Sequence, residues 1–205
     1  MIVVKDLQIK IPREEVLRLL KHKEGATIVD QKTSDMVNQM IEEGKKLSEA
    51  KAVYSDFNVK NVRDHAVELE NSMVELTGKS TSHRLWNAKK VTLFLVTIGP
   101  NIGKKIADLT KQGSMAMAAV LDAVGSAAVE SLAGQINDLT DNRAKEAGFK
   151  TTNRFSPGYG DWELREQKGI LQQLNASQLG VTLTNGSLMQ PEKSVTAVIG
   201  WVQAE

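Results

Sequence analysis

VTLFLVTIG, residues 91–99, is the stretch that decides the fold. It is an unbroken apolar run, rich in β-branched residues, closed by Gly99-Pro100. Its length and lack of alternation fit a strand buried on both faces. Upstream, residues 80–89 read as a helix capped by Ser80 or Thr81. Residues 51–76 alternate loosely and carry β-formers, so they read as two or three strands. Between about 33 and 50, Met36, Val37, Met40, Ile41 and Leu47 recur at helical spacing. A turn at Gly25 precedes that helix. Pro12 opens an earlier one, with acidic residues first and basic residues later, as the helix dipole prefers. Residues 2–11, IVVKDLQIKI, read as a strand.

Downstream, Pro100 starts a helix with Ile102, Ile106 and Leu109 on one face, ended by Gly113. Residues 114–147 give the longest helical pattern, with Met117, Val120, Leu121, Val124, Ala128, Leu132, Ile136 and Leu139 along one side. Its first half is rich in Ala, Gly and Ser, so neighbours approach closely, and Gly148 is its C′ residue. A further helix is expected over 161–174, capped by Asp161 with Glu163 in its first turn. GVTLTNGSLM, 180–189, and SVTAVIGWV, 194–202, read as two strands around a loop containing Pro191. Strands and helices come in clusters, not in regular βαβ alternation. The expected class is α+β, with a mixed or antiparallel sheet and clustered helices, as one domain over residues 1–205.

Composition excludes several functions. The net charge is +1 and basic residues are interspersed with acidic ones, so no nucleic-acid stripe is present. With no cysteine there is no disulfide, thiolate metal site or Cys nucleophile. His22, His65 and His83 are not paired at metal-ligand spacing. The N-terminus carries charges inside its apolar stretch, unlike a signal peptide, and no run of about 20 apolar residues offers a membrane span. A cytoplasmic protein is expected. TIGPNIGKK, 97–105, resembles a phosphate loop superficially, but only three residues separate Gly99 from Gly103 and no Ser or Thr follows the lysines. A strand-to-helix turn, with Gly103 allowing close packing, is the better reading.

Two features are candidates for a site. Asp122, Ser126 and Glu130 lie four residues apart on the long helix and share a face. They form either a solvated stripe or a polar strip facing a ligand groove. RFSPGYGDWELREQK, 154–168, contains a Pro157-Gly158 turn flanked by Arg154 and Tyr159. Gly158 is free to take φ > 0. Arg154 offers a planar fork of donors suited to a carboxylate. Tyr159 offers a ring face and a hydroxyl. The helix expected from Asp161 brings unpaired N–H groups to the same place. This segment is either a connector or a binder of a small amphoteric ligand.

R-x-x-x-G-Y at 154–159, followed by a helix ending KGILQQL, resembles the activation domain of vitamin B12-dependent methionine synthase. LGVTLTNGSLMQPEKSVTAVIGW, 179–201, is similar to that domain's tail. LFLVTIGPNIGKKI and VLDAVGSAAVESLA resemble stand-alone bacterial versions of it. The resemblance covers residues 90–201 well and the N-terminal third loosely. It implies a domain that binds S-adenosylmethionine and docks on a corrinoid-binding protein or short methionine synthase. There the methyl group restores a cobalamin reduced by an electron donor such as a flavodoxin or ferredoxin. Arg154 would take the methionine carboxylate, the backbone of Ser156, Pro157, Gly158 and Tyr159 the adenine and ribose, and Tyr159 would wall the groove. Asp122 and Ser126 would line it. The family pattern has a His where this chain has Arg165 and a Glu where it has Ser126. The alternatives are a module of the same fold that binds the corrinoid protein without S-adenosylmethionine, and an unrelated α+β enzyme acting on a small carboxylate at the same loop.

Overall fold

The computed structural model describes residues 1–4, 7–22 and 29–204. The turn expected at Gly25 lies outside these residues. At the centre is an antiparallel sheet. Strand β1 spans Ile2–Val4, β2 Lys51–Arg63, β3 Ala66–Leu69, β4 Glu75–Thr77 and β5 Ala88–Thr97. β6 follows at Phe149–Thr151, and β9 at Ser194–Gln203. The order is β4-β3-β2-β5-β9-β6. β2 is long enough to pair with β1 through its first half and with β3 through its second, while β5 runs along its other edge. A separate two-stranded hairpin joins β7, Thr182–Leu183, to β8, Met189–Gln190.

β5 behaves as its composition dictates. Every residue from Val91 to Thr97 is buried. Val91, Leu93 and Leu95 belong to one core, Phe94 and Val96 to another. The strand period of two sends alternate side chains to opposite faces, so a strand covered on both is mostly apolar, and its two buried threonines, Thr92 and Thr97, are hydrogen-bonded. On the Phe94 face lie α1, Arg13–Leu19, α2, Gln31–Leu47, α4, Asn101–Lys111, and α5, Met115–Glu146. On the Leu93 face lie Trp162, Leu85, β3, β4 and α6, Gln167–Gln173. The remaining helix, α3, is Lys79–Arg84.

α5 is long and apolar enough to cross a membrane by length and composition alone. It reaches that composition largely through alanine, and most of its larger apolar residues lie in the core, Met115 being exposed. Gly44 of α2 abuts it so closely that a Cβ would stand 2.3 Å from Val124 Cγ1. Gly148 ends it at φ 79, as expected. Arg143, in its last turn, pairs with Asp56 and lies 4.8 Å from the Tyr54 ring and 5.5 Å from that of Trp201. This fixes the end of α5 to the sheet.

Several expectations change. Among the described residues of 2–11 only Ile2–Val4 are strand. Residues 7–11 are irregular and pack on the helices, with Ile11 buried and Gln8 hydrogen-bonded to Gln135. Residues 180–189 do not form one strand, because a turn centred on Asn185-Gly186 folds them into the β7–β8 hairpin. β6 carried no sequence signal, being a three-residue edge strand. A Cβ at Gly103 would meet nothing within 4 Å, so the close packing expected there occurs at Gly44 and Gly125 instead. The 97–105 segment is a strand-to-helix turn. Gly99 donates its N–H to Thr97 Oγ1 at 3.2 Å, and the Glu49 carboxylate bonds Asn101 at 2.8 Å over the same turn. An acidic group placed there opposes an anion.

Candidate functional site

Residues 152–155 continue beyond β6 along the edge of β9. Thr152 donates to Gly200 O at 2.9 Å, and Phe155 and Val198 exchange hydrogen bonds of 3.1 and 2.8 Å. Gly200 permits this approach, since a Cβ there would stand 3.1 Å from Thr152 Cγ2. The chain then turns. Gly158 donates to Trp162 O at 2.7 Å, and Trp162 to Tyr159 O at 3.2 Å. Gly158 and Gly160 take φ values of 95 and 64, in the left-handed region that favours glycine. Trp162 is buried and packs on Phe155, with ring centroids 5.4 Å apart. Pro157 is buried, Ser156 is half-buried, and Gly158 and Tyr159 are exposed.

Asp161 does not cap the helix that follows it. A 3₁₀ turn, Leu164–Glu166, leads into α6 without a side-chain cap. The carboxylate of Asp161 instead accepts from Lys79 N at 2.6 Å and Ser80 N at 3.1 Å, and from the Ser80 hydroxyl. It therefore caps α3 from across the fold, the role assigned in sequence to Ser80 or Thr81. The Ser80 hydroxyl foremost, then the backbone N–H groups, bring its pKa down to about 2. This is below the usual value of about 3.9, so the stabilisation is full above that value and is lost as pH falls through about 2. Asp161→Asn is expected to remove the part of the acid-unfolding profile between about pH 4 and pH 2 that belongs to this cap. Circular dichroism against pH for the two proteins checks it.

Arg154 reaches α5. Its Nη2 pairs with Glu130, and its side chain is 29% exposed. Its Nη1 is buried and has no hydrogen-bond partner. Guanidinium donors buried without an acceptor are costly, and a carboxylate oxygen is the acceptor that fits the fork best. One turn along α5, Ser126 Oγ accepts from Lys193 Nζ at 2.9 Å, and one turn further Asp122 Oδ1 accepts from the same ammonium at 2.7 Å. The strip of α5 is thus neither bare nor simply solvated. Arg154 and Lys193 cover it in succession. Glu130 and Lys193 complete the arrangement. Glu130 was visible as a member of the strip, but its partner was not. Lys193 carried no local signal, because a lysine in a loop before a strand reads as solvated. Arg165 is 72% exposed at its side chain and pairs with Glu163 at 2.7 Å, so it does not enter the site.

A separate open groove of about 700 Å³ lies between α6 and the β7–β8 hairpin, lined by Lys168, Leu171, Asn175, Val181 and Thr184 among others. Among the described residues no group of three or more His, Asp or Glu is placed to hold a metal ion.

Comparison with solved structures decides the architecture. The chain superposes on the MetH reactivation domain bound to AdoHcy with a TM-score of 0.66, over 92% of this chain and 70% of that one, at 16% identity. The fold is that of the MetH reactivation domain. No protein-family model and no curated protein matches the sequence. The α+β class with a mixed or antiparallel sheet expected from the sequence is found, the sheet being antiparallel as in the reactivation-domain fold.

Proposed function

We propose that this chain is a reactivation subunit for a corrinoid-dependent methyltransferase such as methionine synthase, and that it binds S-adenosylmethionine between the 154–159 segment and α5. The observation that carries the reading is the buried, unpartnered Nη1 of Arg154, placed beside a glycine-formed turn on the reactivation-domain fold. Arg154 offers the ligand's carboxylate its free donors while Glu130 holds the other side of the fork. Glu130, half exposed, is also an acceptor for the ligand's ammonium. The backbone of Ser156, Pro157, Gly158 and Tyr159 lines the adenine and ribose, and the exposed Tyr159 ring walls the groove. When bound, S-adenosylmethionine supplies a sulfonium methyl group. The protein's part is positioning, because binding energy spent on orientation converts a bimolecular transfer into one of fixed geometry.

The partner in this reading is a cobalamin-carrying protein, with a flavodoxin or ferredoxin as electron source. Titration calorimetry with S-adenosylmethionine, with and without a corrinoid protein, tests it. Saturable binding is expected in both arms. A corrinoid protein captured without any affinity for S-adenosylmethionine would favour the module that only docks.

A further inference from the structure

Lys193 is not an ordinary surface lysine. Its side chain is only 10% exposed. Its backbone is fixed at the start of β9, where Ile98 N donates to Lys193 O at 3.2 Å. Its stem lies across α5 at Gly125, where a Cβ would stand 3.1 Å from Lys193 Cε and 3.2 Å from Cγ. The ammonium ends on Asp122 and Ser126. Ser126 and Asp122 lie four and eight residues before Glu130 on the helix, so the residues that hold this ammonium are offset by roughly 6–12 Å along the axis from the Arg154–Glu130 pair.

The two carboxylates of the strip are not buried to the same degree as the cation. Asp122 and Glu130 are 53% and 49% exposed at their side chains, so water screens them, while the Lys193 ammonium sits in the drier part of the site. Exposed charges are screened strongly and buried ones weakly. The axial spacing between the residues that hold Lys193 and the one that holds Arg154 is comparable to the Debye length of about 8 Å at physiological salt, so charges at the two places are only partly screened from each other.

We propose that Lys193 sets the charge selectivity of the site, lowering its affinity for a nucleoside sulfonium relative to the corresponding neutral thioether. This rests on the reading that Arg154 holds the ligand's carboxylate. S-Adenosylmethionine and S-adenosylhomocysteine are the natural pair of probes, because they differ by one methyl group and one positive charge. Lys193 tips the balance toward the thioether, and Asp122 restrains that effect by pairing with it.

The experiment measures the dissociation constants of both compounds by calorimetry for the wild type, Lys193→Met and Asp122→Asn, at one ionic strength. The wild type is expected to bind the thioether more tightly. Lys193→Met moves the ratio of the two constants toward the sulfonium by roughly tenfold, the equivalent of about 1.4 kcal/mol. Asp122→Asn, at a half-exposed position, moves the ratio the other way. The opposite signs separate a charge effect from a general loss of structure. If both compounds bind and neither variant moves the ratio, or both move it in the same direction, the selectivity role is overturned while the Arg154 site stands. If neither compound binds the wild type, the Arg154 reading falls and the selectivity role with it.

Discussion

Replacing Phe94 by alanine is expected to lower the folding free energy by about 3–5 kcal/mol. Phe94 is fully buried at the middle of β5, opposite Tyr54 of β2 and Ala197 of β9. Its ring faces the core closed by α5, whose inward residues there include Ala123, Ala127 and Ala128. Short side chains on a helix cannot extend to fill the space a ring leaves. β5 cannot shift to fill it either, because it is paired along both edges. The cost is therefore the lost transfer energy of the ring plus a cavity that relaxes little. Urea unfolding of the variant measures it. Met73, 86% exposed, provides the control, and its replacement by alanine is expected to change stability by about 0.5 kcal/mol or less. A Phe94 loss below about 1 kcal/mol would mean that this side of the sheet repacks freely, against the close packing of protein interiors.

Arg154→Ala is expected to weaken S-adenosylmethionine binding by about 1.5–3 kcal/mol, the range for a hydrogen bond to a charged group. In affinity this is roughly 10- to 150-fold. The substitution removes the unpartnered Nη1 and also releases Glu130. Arg154→Lys keeps the charge but not the planar fork, so it is expected to restore only part of the affinity. Folding is expected to survive both changes, because the turn is held by backbone bonds from Gly158 and Trp162 and by Phe155 packing on Trp162, none of which involve the arginine side chain.

The parts of this fold legible in the sequence are those governed by local pattern. The apolar run of β5 and the periodicity of α2 are set by which faces are covered, and composition records that directly; α5 is legible by its length and its alanine-rich apolar content. The glycine at 148 records a left-handed residue at a helix end. What was illegible depends on distant partners. Asp161 looks like a cap for its own helix, yet it caps α3, about 80 residues earlier in the chain. β6 is strand only because β9 offers it an edge. The same holds at the site. The R-x-x-x-G-Y segment and the strip of Asp122, Ser126 and Glu130 were each visible. That Arg154 meets Glu130, and that a lysine from the loop just before β9 takes Asp122 and Ser126, follows from tertiary packing alone.

The most direct test of the account is a calorimetric titration of the wild type and Arg154→Ala with S-adenosylmethionine under identical conditions. Saturable binding to the wild type, weakened at least tenfold in the variant, is the predicted result. No binding to the wild type, or equal binding to both proteins, would contradict the assignment of the site to Arg154 and the turn that follows it.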